Sequence, residues 1–111
     1  MTAAFERNLA RIEQVLDDAG ASQRFEELVD DLLERVIPLL ESTPALGAPL
    51  SNHTLTEESR LLLDKISRQV SATAARQLVR GDFVMLYVVS EQRVHLLAVR
   101  HHREANFRFE M

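Results

Sequence analysis

Cysteine is absent from the 111 residues, which excludes disulfides and thiolate metal sites and is compatible with a reducing cytosolic location. Glycine is scarce, three in all, and no P-loop, dinucleotide-binding or nucleophile-elbow motif occurs, so phosphate cradles are not expected. No uninterrupted apolar run approaches the roughly 20 residues of a membrane span. The opening MTAAFERNLARIEQ lacks a long apolar stretch behind a basic start, so a soluble, unprocessed, cytoplasmic protein without membrane partners is expected. Strong basic bias is also missing. The net charge of -4 divides unevenly: residues 1–75 carry 7 Lys or Arg against 13 Asp or Glu, net -6, whereas residues 76–111 carry 6 Arg against 4 acids, net +2. A nucleic-acid binder usually shows a far larger excess, because phosphate neutralisation supplies most of its affinity.

What the chain does have is concentrated in residues 81–102, GDFVMLYVVSEQRVHLLAVRHH. Residues 83–89 are apolar or aromatic throughout, and 94–99 are apolar apart from His95, with Ser90-Glu91-Gln92 between them. Both runs are rich in Val, Leu, Phe and Tyr and lack Pro and Gly, which predicts a buried β-hairpin rather than one helix.

Upstream, Phe5, Leu9, Ile12, Leu16 and Ala19 follow a four-three-four-three spacing, one stripe of a helix over 3–19. Gly20 suits a left-handed C-cap and Ser22 is expected to cap a second helix. That helix carries a wider stripe of Phe25, Leu28, Val29, Leu32, Leu33, Val36, Ile37 and Leu40, able to face both a neighbouring helix and a sheet. The surplus width also suits a partner segment. Pro38 predicts a kink or weakened last turn. Residues 42–52, STPALGAPLSN, hold two of the three prolines and predict a loop. A third helix is expected from Thr56, with Leu62, Leu63, Ile66 and Val70 at helical spacing. Residues 75–80 predict a strand joined to 83–89 through Arg80-Gly81-Asp82. Helices first and strands after describe a single α+β domain, residues 1–111: an antiparallel helical hairpin plus a third helix packed on a small antiparallel β-sheet.

The densest chemistry lies at 100–104, Arg-His-His-Arg-Glu. Arg76, Arg80, Arg100, His102, Arg103 and Glu104 are expected to meet at one end of the sheet, where arginines stabilise phosphorane-like charge and His or Glu moves a proton. The competing reading is a strand end that is charged because it reaches solvent. His101 and His102 are neighbours on an extended strand, whose side chains point to opposite faces, so they are not expected to share a metal. His53 and His95 are distant in sequence and no HExxH spacing occurs, so neither a metal nor a cofactor is expected.

The ordered text FERNLARIEQVL, FEELVDDLLERVIPLLESTPALG, ARQLVRGDFVMLYVV and RVHLLAVRHHRE resembles the RelE/ParE superfamily of type II toxin-antitoxin toxins, also known as plasmid-stabilisation proteins. The likeness covers most of the chain, and residues 48–72 fit it least. It implies a small α+β toxin neutralised by a cognate antitoxin whose extended or helical segment wraps it, with oligomers formed through that complex. It also implies a first strand ahead of helix one, where only Met1 to Ala4 precede Phe5. RelE-like members cleave messenger RNA on the ribosome; ParE-like members poison DNA gyrase without a hydrolytic site. In RelE-like members an arginine commonly follows the aromatic residue of the central strand, and here Val84 follows Phe83. Alternation puts Val84, Leu86 and Val88 on one apolar face.

By the same resemblance, Arg100, His102 and Arg103 are the catalytic candidates if the protein is a nuclease. Arg76, Arg80, Arg100, His101, Arg103 and Phe107 are the candidates for antitoxin or target binding, since arginine forks suit partner carboxylates as well as phosphates. Three readings follow. The chain is a growth-arresting toxin with a gyrase-type or unassigned target, a ribosome-dependent mRNA endoribonuclease, or a non-toxic binding module that keeps the fold.

Overall fold

A computed structural model describes residues 2–49, 57–69, 75–90 and 93–103. The architecture is α+β. Helix α1 spans Ala3–Asp18 and α2 spans Ser22–Asp31, which continues through a π-helical turn, Leu32–Val36, into α3, Ile37–Ser42. A 3₁₀ turn at Pro44–Leu46 leads to a two-residue strand β1, Ala48–Pro49; α4 is Glu57–Gln69; β2, β3 and β4 are Ala75–Arg80, Phe83–Ser90 and Arg93–His101. The four strands form one antiparallel sheet in the order β1-β2-β3-β4. Among the described residues no helix is long and apolar enough to cross a membrane.

The start of α1 is set by Thr2, whose hydroxyl accepts the Phe5 N–H at 3.2 Å. At its end Gly20 adopts φ 69°, the left-handed conformation expected of it. Ser22 does not cap α2: that position falls on Ala21, and the Ser22 hydroxyl donates to Asp17 Oδ1 at 2.7 Å across the turn. The correction is a shift of one residue, since the serine lies inside the first turn.

The break expected from Pro38 takes the form of the π turn. Proline has no N–H to donate, and its ring crowds the carbonyl four residues back. The Ile37 N–H reaches Leu32 O instead, five residues back. One extra residue in this turn also repairs the packing. Leu28, Leu32, Val36 and Leu40 are each four apart, and in a regular helix each step drifts by about 40°. With the wider turn all four stay buried, at 5%, 1%, 0% and 0% exposure.

Two apolar layers enclose the sheet. On one face, Phe5 and Ile12 of α1 and the Leu28-to-Leu40 row pack on Met85, Tyr87, Leu96 and Val99. On the other, Leu63 of α4 packs with Val84, Leu86, Val88, Leu97 and Ala98. Burying each of the Val, Leu, Ile, Phe and Met side chains among these contributes about 1.5–3 kcal/mol. The β3–β4 register shifts between Leu86 and Tyr87: Leu86 pairs with Ala98 and Tyr87 with Leu96, so Leu97 is the extra residue of a bulge. The bulge places consecutive Leu97 and Ala98 in the same cluster.

Residues 42–52 are not loop throughout, because Ala48 and Pro49 pair with Gln77 and Arg76 at the sheet edge. Proline is tolerated there because an edge strand need not donate outward. The single tyrosine ties this segment down: the Tyr87 hydroxyl accepts the Gly47 N–H at 2.8 Å and donates to Pro44 O at 2.7 Å. Among the described residues no strand precedes α1, and Thr2 alone stands there. Its N–H and hydroxyl both donate to Leu96 O, at 3.1 and 2.8 Å, on the outer edge of β4. The third helix is present; its expected start at Thr56 and its last apolar position, Val70, lie outside the described residues.

Candidate functional site

Arg80 pairs with Phe83, so Gly81 and Asp82 form a two-residue turn, and Gly81 takes φ 56°, where a side chain would be strained. Strand β4 runs antiparallel to β3 and brings His101 opposite Phe83, beside this turn. The pairing extends one residue further, with the His102 N–H donating to Asp82 O at 2.8 Å. Sequence positions 80–83 and 100–103 are thereby one place in space.

The two histidines do not diverge. The strand ends at His101, His102 belongs to the following turn, and the ring centroids lie 4.4 Å apart at 32°. The opposite-face expectation fails because alternation holds only within a strand. The His101 ring stands edge-on to Phe83, centroids 5.5 Å apart, and its Nδ1 accepts the Arg103 N–H at 3.2 Å. His102 Nδ1 lies 3.2 Å from the Asp82 carbonyl oxygen and 3.9 Å from Asp82 Oδ1. One ring nitrogen from each histidine and a carboxylate oxygen of Asp82 fall within 4.8 Å of one another, a set able to ligate a metal or relay protons.

A groove of about 430 Å³ adjoins the turn, lined by Leu16, Leu28, Phe83, Arg80, Asp82 and His101 among others. On its wall Arg80 makes a two-pronged contact with Asp31 of α2, Nε to Oδ2 at 3.0 Å and Nη2 to Oδ1 at 2.6 Å. The hydrogen bond from Arg80 holds the Asp31 carboxyl below its ordinary pKa against the opposing effect of burial, with the charges of Arg80 and Arg35 adding to it. Arg80 is correspondingly raised by the same hydrogen bond.

The expected meeting of the arginines is therefore partial. Arg80 and His101 share the groove, and the backbone of Arg103 joins them. Arg100 pairs with Val84 on the opposite face, with Nη1 at 3.5 and 3.4 Å from the carbonyls of His101 and His102. Arg76 stands apart, donating to Gly47 O at 2.7 Å and Ala45 O at 3.4 Å, where it braces the loop beside Tyr87. Glu104 and Phe107 lie outside the described residues. Two members of the site, Asp31 and Asp82, carry no motif. Asp82 reads as an ordinary turn residue after glycine, and Asp31 as one acid among many on a helix.

No family model, curated protein or solved structure matches the chain.

Proposed function

We propose that the chain is a toxin of RelE/ParE type that arrests growth by binding its target, gyrase-type or unassigned, and is held by a cognate antitoxin. The observation that carries this reading is the burial of Val84. At 5% exposure it sits among Leu63, Leu86, Val88, Leu97 and Ala98, so the face that would carry an RNA-cleaving arginine is apolar and closed. The β2 arginines are also engaged, Arg80 with Asp31 and Arg76 with loop carbonyls, which leaves binding ahead of hydrolysis. A second groove, of about 450 Å³ between α3 and β4, is lined by Ile37, Leu40, Val94 and Leu96 together with Glu41, Arg93 and His95, and offers the antitoxin segment a track of mixed apolar and charged character.

The RelE-like alternative draws on one feature, the grouping of Arg100, His102 and Arg103 around the end of β4. Purified protein assayed in parallel for gyrase supercoiling and for cleavage of ribosome-bound message separates the two. Inhibited supercoiling with intact message supports the binding toxin. Message cleavage that disappears in Arg100→Ala overturns it in favour of the nuclease.

A further inference from the structure

We infer that Asp82, His101 and His102 form a binding site for a divalent first-row transition ion of the zinc type, independently of the toxin reading. Their ligand atoms already lie within 4.8 Å of one another. A tetrahedral ion with bonds of about 2.0–2.1 Å needs its ligands about 3.4 Å apart, so the cluster closes on the ion by roughly 1.4 Å at most. The side chains of Asp82 and His102 have that freedom, being 59% and 49% exposed; His102 Nδ1 lies 3.9 Å from Asp82 Oδ1, and ligation by that nitrogen gives up its proton and its 3.2 Å contact with the Asp82 carbonyl, whereas ligation by Nε2 keeps both.

The scaffold beneath them is fixed by backbone. The His102 N–H to Asp82 O bond locks the turn against the strand end, and the Phe83 edge contact orients the His101 ring. Arg80, the nearest cation on β2, is engaged by Asp31 through both Nε and Nη2. Two imidazoles and one carboxylate select zinc, nickel, cobalt or copper over magnesium or calcium, which prefer all-oxygen sets. Binding takes over the His101 lone pair that accepts the Arg103 N–H, or turns that ring to present its other nitrogen. With three protein ligands, coordination is completed by water or by a group entering the adjoining groove, which Asp82 and His101 both line.

The test is a Zn²⁺ titration of the full chain by calorimetry, repeated with Co²⁺ to read its visible ligand-field band and with Mg²⁺ as a hard-ion control. Asp82→Asn and His102→Gln, both at exposed positions, are compared with the parent after circular dichroism confirms their fold. The expected result is one Zn²⁺ per chain, a tetrahedral Co²⁺ spectrum, and affinity weakened at least about tenfold in each variant, since loss of even an outer partner costs roughly 10–100-fold. Absence of Zn²⁺ binding, a preference for Mg²⁺, or equal affinity in parent and variants would overturn the assignment.

Discussion

Asn8 of α1 accepts the backbone N–H of Val99 through its side-chain oxygen at 3.0 Å, with both residues buried. Six residues earlier, Thr2 donates twice to Leu96 O on the same strand edge. Helix α1 thus seals the outer edge of β4 by side chains and by one extended residue, protecting backbone groups that would otherwise template pairing with another chain. At the other edge, β1 is two residues long and contains Pro49.

Asn8→Ala leaves the Val99 N–H buried without its partner. The expected loss is about 1–3 kcal/mol, seen as a lower denaturant midpoint at unchanged slope, with faster exchange of the Val99 amide. An unchanged midpoint would show that the edge is sealed by other means.

Tyr87→Phe removes the hydroxyl that satisfies both Gly47 N–H and Pro44 O, and is expected to cost about 1–3 kcal/mol and to deprotect the Gly47 amide in hydrogen exchange. Gly47→Ala tests the same latch sterically. Its new Cβ would stand 2.7 Å from both Gln77 O and the Tyr87 hydroxyl, so the segment must move away from β2.

The Asp31–Arg80 contact makes a signed prediction in pH. The folded Asp31 carboxyl titrates below its ordinary value of 3.8, so its contribution to stability is complete above that value and is lost as the pH falls through the lowered one. Asp31→Asn is expected to lower stability near neutrality by about 1 kcal/mol, given the partial exposure of both partners, and to flatten the acid limb of the stability–pH curve. Equal acid limbs in parent and variant would refute the coupling.

Leu63→Ala truncates the α4 side chain packed against Val84, Leu86 and Val88. A loss of about 2–5 kcal/mol is expected, together with increased binding of a hydrophobic dye as that sheet face opens. A change under about 0.5 kcal/mol would mean that Leu63 does not hold the layer.

Much of this was legible in the sequence, for physical reasons that differ by element. The two helical stripes advertise burial through period, Leu33 being the exposed exception in the second, and the two strand runs through unbroken apolar content, while Gly20 and Gly81 announced turns that both take a positive φ. The effect of Pro38 was legible as a break, but the π turn was not, because it depends on keeping Leu28 through Leu40 against the sheet. β1 was hidden since Ala48-Pro49 has no strand propensity of its own and exists only by pairing with β2. In the site, the alternation rule misplaced His102 because the end of β4 cannot be read from composition, and Asp82 joins the histidines only through the β3–β4 register. The bond between Asp31 and Arg80 spans 49 residues and left no local trace.

The central claim is best tested by expressing the chain alone from a tight promoter while following growth, DNA supercoiling and message integrity in one culture. The account predicts growth arrest with intact message, relieved by a co-expressed antitoxin, with altered supercoiling marking a gyrase-type target. Early cleavage of translated message, or normal growth throughout, would contradict it.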